Sequence, residues 1–296
     1  MPSCPPVQVV EAAESASGLN LELVRPITSR RGASVYKLRD ESAGRYALKL
    51  AYEEAEDSPY SPAAKLRHEA YFLRQLPDFS EHSFLAEGSF DEGYWVLKKW
   101  IQGTLVHNRA LELRKIEEEK ERQVSLASLF LKVIDTFSKI HDRGFLHGDV
   151  QPNHILLSQE NEVSILDWSL SRRLDSNSPS YRGAFLHYAA PEVARGMREK
   201  SSSIVYGLAQ EIFSVGATIF CLYSDWTVTG VSPQAPQPGA EAIYQRYLSQ
   251  GPVELTETAA PSFPALEEFF RLSLATEPRD RAGDLIKASK ALRHIL

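Results

Sequence analysis

Two stretches decide how this chain is read: "LHGDVQPNHILL", Leu146–Leu157, and "SILDWSL", Ser164–Leu170. Asp149 sits just after an apolar pair that follows a helical pattern, and Asp167 closes a short strand-like run. The two acids are 18 positions apart, 149 to 167, with the polar turn "ENE" between them. Convergence of two carboxylates on one edge suits a divalent cation bridging phosphates, one acid holding the cation while the other orients a nucleophile. Two unrelated turn aspartates fit the same local pattern. The surrounding chain has to separate these readings.

Upstream of the pair, "SLASLFLKVIDTFSKIH" places Leu126, Phe130, Val133, Phe137 and Ile140 at alternating steps of four and three, the stripe of a well-buried amphipathic helix that Gly144 ends. The preceding "EEEKERQ" reads as a solvated charged stretch. Earlier still, "LELVRPI", "ASVYKLR", "RYALKLAY", "FLAEGSF" and "YWVLKKWI" are short runs rich in aromatic and β-branched residues, separated by turn signals. One helix interrupts them, with Ser61 as N-cap, Pro62 at its first position and Leu66, Ala70 and Leu73 on one face. Downstream of Asp167 a polar loop runs to about Tyr188. "AQEIFSVGATIFCLY" is then apolar nearly all round and reads as a central core helix, followed by amphipathic segments. The expected organisation is a loose lead-in over 1–18, a strand-rich lobe and hinge over 19–103, and a helical lobe over 104–296, an α+β chain without repeats.

With 296 residues and 43% hydrophobic content the chain can bury a large core. Its formal charge of -6, from 33 basic and 39 acidic residues, provides no field to gather nucleic acid or an anionic membrane surface. Cys4 and Cys221 form neither a metal-ligand spacing nor a disulfide framework, and no stretch reads as a signal or membrane span. These features point to a cytoplasmic setting.

In this order the motifs resemble the eukaryotic-type protein kinase superfamily. "HGDVQPNHILL" is similar to the catalytic loop H-R-D-x-x-x-x-N, and "LDWSL" to the D-F-G segment. "RYALKL" puts Lys49 where the family's phosphate-binding lysine sits, and Glu69, on the small-lobe helix, where its partner glutamate sits. "YAAPEVARG" carries Ala190, Pro191 and Glu192 in the place of A-P-E; "KKWIQGTL", with Trp100, resembles the hinge; Glu211 stands where the central large-lobe helix usually has Asp; and Arg281 resembles the arginine that pairs with Glu192. The resemblance implies a bilobal kinase fold, ATP and Mg²⁺ as cofactors, and transfer of a γ-phosphate to a hydroxyl. A protein Ser/Thr is preferred over a small molecule or peptide natural product. By analogy Asp149 accepts the hydroxyl proton, Asp167 holds Mg²⁺, Lys49 positions the phosphates, Glu69 positions Lys49, and His147 is structural. The alternative is a pseudokinase that regulates a partner.

The chain departs from the family at definite places. The three glycine positions of the nucleotide loop read Thr28, Arg30 and Ala33, with Gly32 between them. Arg30 and Arg31 at the hairpin tip either replace backbone donation to the phosphates with side-chain charge or are simply solvated. Gly148 replaces the loop arginine, giving the "HGD" also seen in aminoglycoside phosphotransferase-like kinases. A phosphate on Ser176, Ser178, Ser180 or Tyr181 would then lack its usual cationic anchor. His154 occupies the place of the metal-binding asparagine, with Asn153 one position early and expected to point elsewhere; imidazole is a poor ligand for Mg²⁺. Trp168 and Ser169 replace the Phe and Gly of D-F-G. Lys98 falls near a position that usually bears an apolar residue, so it is expected to point outward or find an acid.

Overall fold

The computed structural model describes residues 4–30, 32–53, 61–76, 84–175, 181, 185–232 and 238–296. Arg31, Ser176, Ser178 and Ser180, together with the side chain of Arg30, lie outside that description. The chain divides into two compact units, Met1–Gln102 with Asp167–Ser171, and Gly103–Leu166 with Arg172–Leu296.

The first unit contains α1 (Val7–Ser17), β1 (Glu22–Arg30), β2 (Ala33–Arg39), β3 (Arg45–Tyr52), α2 (Pro62–Gln75), β4 (Phe84–Phe90) and β5 (Gly93–Lys99). Its strands form one antiparallel sheet in the order β1-β2-β3-β5-β4. Successive side chains of a strand point to opposite faces, and here both faces are apolar. Tyr36, Leu38, Leu48, Leu50, Trp95 and Leu97 pack with Val9 and Ala13 of α1, while Ala51 and Val96 pack with Ala63, Leu66 and Ala70 of α2. The expected loose lead-in is therefore a helix, because the sheet has a second apolar face to cover. α2 begins as its sequence predicts, with the Ser61 hydroxyl accepting from Ala64 N at 3.1 Å and Pro62 at the first position.

The second unit runs through β6 (Thr104–Leu105), α3 (Val106–Leu113), α4 (Glu119–Asp142), β7 (Phe145–Leu146), β8 (Ile155–Leu157), β9 (Val163–Ile165), β10 (Arg172–Arg173), α5 (Pro191–Arg198), α6 (Leu208–Ser224), α7 (Ala240–Gln250), α8 (Pro264–Ser273), α9 (Leu285–Ala288) and α10 (Lys290–Arg293). The charged run before Leu126 is solvated as expected, with Glu117 to Glu121 exposed. It forms the first turns of α4, whose backbone N–H groups at Lys120 and Glu121 donate to the Glu118 carboxylate. The predicted stripe of Leu126, Phe130, Val133, Phe137 and Ile140 is buried, as is nearly all of α6. Two small sheets, β6-β8-β9 and β10-β7, frame the loop that carries Asp149. No helix among the described residues is long and apolar enough to cross a membrane.

Candidate active site

In the first unit the pairing Lys49↔Val96 sets Lys49 beside the strand packed against α2. Lys49 Nζ lies 2.5 Å from Glu69 Oε2 and 3.3 Å from Asp167 Oδ1. Burial alone would lower the Lys49 pKa; the facing carboxylates of Asp167 and Glu69 more than offset it, so the ammonium is held above its ordinary value. Glu69 is fully buried, which by itself would raise its pKa, but Lys49 and then Lys98 keep it below the usual carboxylate value. Lys98 Nζ is 2.7 Å from Glu69 Oε1. Of the two destinations expected for this lysine, it takes the acid.

Asp167 adopts a left-handed backbone, φ 59°, which a non-glycine residue holds only where its surroundings impose it, and such residues gather at functional sites. Ser169 has no positive φ, so loss of the D-F-G glycine costs no strain in this conformation. Trp168 is buried, and Ser171 N donates to its carbonyl at 3.2 Å. His68 of α2 completes the cluster: its Nε2 donates to the Ser171 carbonyl at 2.6 Å.

The second unit holds Asp149 in a network of its own. His147 is buried; its Nε2 donates to the Leu166 carbonyl at 2.9 Å and its Nδ1 accepts from Asp149 N at 3.3 Å. Burial lowers its pKa despite the nearby Glu211 carboxylate, so both ring nitrogens serve as a neutral imidazole. The Glu211 carboxylate accepts from His147 N at 2.8 Å, Gly148 N at 2.7 Å, His141 Nε2 at 3.1 Å and the Tyr206 hydroxyl at 3.2 Å. Gly148 has φ 81°, a conformation glycine adopts without steric cost. Gln151, whose role nothing but its spacing from Asp149 signalled, donates from Nε2 to Asp149 Oδ1 at 3.0 Å. His154 turns inward while Asn153 is exposed. Its Nδ1 donates to the Asp149 carbonyl at 2.9 Å and lies 3.6 Å from Asp149 Oδ2. In the neutral ring this leaves the lone pair on Nε2.

Farther along, Arg281 grips Glu192 with two parallel bonds of 2.7 and 2.8 Å. The guanidinium also donates to the carbonyls of Ala275, Ala209 and Thr276 and lies over the Phe213 ring, so its fork is fully used. Burial would raise the Glu192 pKa, and Arg281 brings it below the usual value.

A family model described as "Protein kinase domain" matches residues 24–294. The chain belongs to the protein kinase family. It is 30% identical over 164 residues to "Probable serine/threonine-protein kinase fnkE" of Dictyostelium discoideum, covering 52% of this chain and 12% of that one. It is 25% identical over 294 residues to serine/threonine-protein kinase PknF of Mycobacterium tuberculosis, covering 96% of this chain and 58% of the relative. With sperm motility kinase Z of Mus musculus the identity is 24% over 200 residues, 66% of this chain and 36% of that one. The chain thus spans less than two thirds of the length of these relatives.

Within the protein kinase fold, Lys49, Glu69 and Asp167 come together in one unit, and His147, Asp149, His154 and Glu211 in the other. Gly32 and Trp100, which the family resemblance places beside the nucleotide, make structural contacts of their own. The positive φ of Gly32, 74°, and a Pro62 ring that a Cβ at this position would meet at 2.5 Å account for this glycine through the turn and its packing. Trp100 N is spent on the Arg45 carbonyl at 2.8 Å, and Lys37 Nζ lies 4.4 Å from the centroid of the Trp100 ring.

Proposed function

We propose that this chain transfers the γ-phosphoryl group of ATP to a serine or threonine hydroxyl of a protein. The observation that carries the reading is the charged Lys49 held between buried Glu69 and Asp167, the group needed to keep a cation pointed at nucleotide phosphates. Family membership supports ATP and Mg²⁺ as the cofactors. Asp167, 35% exposed in its side chain, supplies the hard oxygen that Mg²⁺ prefers, and Lys49 fits the phosphates. His154 does not fit as a second ligand, since it offers a nitrogen where an oxygen is wanted. When bound, Mg²⁺ would neutralise charge on the phosphates.

The protein's own contribution is orientation. Gln151 fixes the Asp149 carboxylate, which receives the proton of the attacking hydroxyl; the hydroxyl oxygen bonds to the γ-phosphorus as the bond to ADP breaks. A second reading, a nucleotide-binding module without turnover, is favoured by His154 and by Thr28, Arg30 and Ala33 at the glycine positions of the nucleotide loop. Phosphate transfer from Mg-ATP to a protein substrate, with Asp149→Asn and Asp167→Asn in parallel, separates the two. The catalytic reading expects losses of at least about 100-fold in both variants; a wild type that binds nucleotide yet phosphorylates nothing above the two variants refutes it.

A further inference from the structure

The register of the sheet brings a second lysine to Glu69. Ala47 faces Lys98 and Lys49 faces Val96 across β3 and β5, so Lys49 and Lys98 project from the same face of adjacent strands, one step apart. Their ammonium groups divide one fully buried carboxylate between them, Lys49 on Oε2 at 2.5 Å and Lys98 on Oε1 at 2.7 Å, with the lysine side chains 16% and 15% exposed. Glu69, Asp167, Lys49 and Lys98 sum to zero charge.

We infer that Lys98 is a positioning residue: it retains the Glu69 carboxylate, and with it α2, when Lys49 turns to nucleotide phosphates. The inference rests on the phosphotransfer reading above. Lys49 already divides its donors between Glu69 and Asp167. Phosphate oxygens compete for the same ammonium, and a carboxylate excluded from water and deprived of its cation is strongly disfavoured. With Lys98 in place the carboxylate keeps a full charge partner throughout. α2 then stays on the sheet without depending on Lys49, and His68 carries the same anchorage to the segment after Asp167 through the Ser171 carbonyl.

The test reads α2 directly, by hydrogen exchange of its backbone amides with and without a saturating Mg²⁺-bound non-hydrolysable ATP analogue, alongside kcat and KM for ATP. With the analogue bound, Lys98→Met is expected to speed exchange across Leu66–Leu73 at least tenfold, with α4 amides unchanged as the internal reference for folding, and to lower kcat/KM for ATP about tenfold. Lys98→Arg should restore both to within threefold. Without nucleotide, Lys49→Met should leave α2 exchange within threefold of wild type, and the double variant Lys49→Met/Lys98→Met should speed it more than the sum of the single effects. Exchange in analogue-bound Lys98→Met within twofold of wild type, or strict additivity in the nucleotide-free double variant, overturns the inference. An exchange pattern as expected, in a wild type without turnover, refutes the phosphotransfer reading and leaves the Glu69 clamp standing.

Discussion

Replacing Glu211 by alanine tests how the Asp149 loop is held. The buried carboxylate accepts four hydrogen bonds, two of them from consecutive backbone N–H groups at His147 and Gly148. Removing the acceptor strands those two donors at roughly 1–3 kcal/mol each. The Tyr206 hydroxyl retains Ser214 Oγ at 3.5 Å and softens the third loss, and His141 loses a charge-assisted partner. The expected cost is about 3–6 kcal/mol, a large share of the roughly 5–15 kcal/mol that stabilises a domain. Glu211→Gln keeps one acceptor oxygen but turns an amide donor toward the other N–H, so about half that cost is expected. Because His147 and Gly148 directly precede Asp149, the loop backbone shifts as well, and a displacement near 1 Å lowers kcat about 100-fold with a smaller effect on KM for ATP. Urea unfolding followed by circular dichroism, together with steady-state kinetics, measures both quantities. A Glu211→Ala protein that unfolds within about 0.5 kcal/mol of wild type and retains its kcat would show that the loop is held by something other than this carboxylate.

Two further outcomes follow from the same loop. His147 has its pKa depressed below the usual 6.5, chiefly by burial, so the unfolded chain binds more protons than the folded one just below that pH. Its contribution to stability is complete above pH 6.5 and is lost as pH falls toward the folded value; denaturant midpoints measured from pH 7.5 down to 5 should drop, and His147→Gln should flatten that limb even though it is less stable overall. Tyr181 is buried, stacked on Tyr206 with ring centroids 4.2 Å apart, and donates its hydroxyl to the Gly148 carbonyl. Tyr181→Phe should cost about 1–2 kcal/mol and lower kcat severalfold without touching the stacking, and intact folded protein incubated with a tyrosine kinase should carry no phosphate at Tyr181 by mass spectrometry.

Much of this arrangement is legible in the amino-acid order because it depends on local pattern or motif spacing. The Ser61 cap, the Leu126–Ile140 stripe and the ordering of Lys49, Glu69, Asp149, Asp167, Glu192 and Arg281 are of that kind. The elements that escaped detection depend on tertiary context. "VQVVEAAESAS" carries too few apolar residues to announce a helix, and its reason for folding is the second apolar face of the sheet, built from Tyr36, Leu38, Leu48, Leu50 and Leu97. The need of Lys98 for an acid follows from burial alone, whereas the choice of Glu69 follows from the pairing of β3 with β5. Gln151 could be found only once the loop was folded, since an amide two residues from an aspartate is ordinary in any turn.

The departures from the family pattern bear on whether the site is maintained or decaying. A decaying site accumulates buried polar groups without partners, because nothing selects for the compensating change and each such group costs stability. Here three of the substituted positions, Lys98, Gly148 and His154, have specific bonding arrangements, as does their loop neighbour Gln151. Lys98 shares the Glu69 carboxylate, Gln151 orients Asp149, and His154 binds the Asp149 carbonyl. Gly148 takes a backbone conformation natural to glycine while its carbonyl receives the Tyr181 hydroxyl. Two of these contacts act on Asp149 itself and one on the glutamate that positions Lys49, the groups on which phosphoryl transfer would depend. Such bonding around Asp149 and Glu69 is what the proposed transfer requires of a loop that orients a nucleophile, and it weighs more heavily for turnover than the single nitrogen of His154 weighs against it.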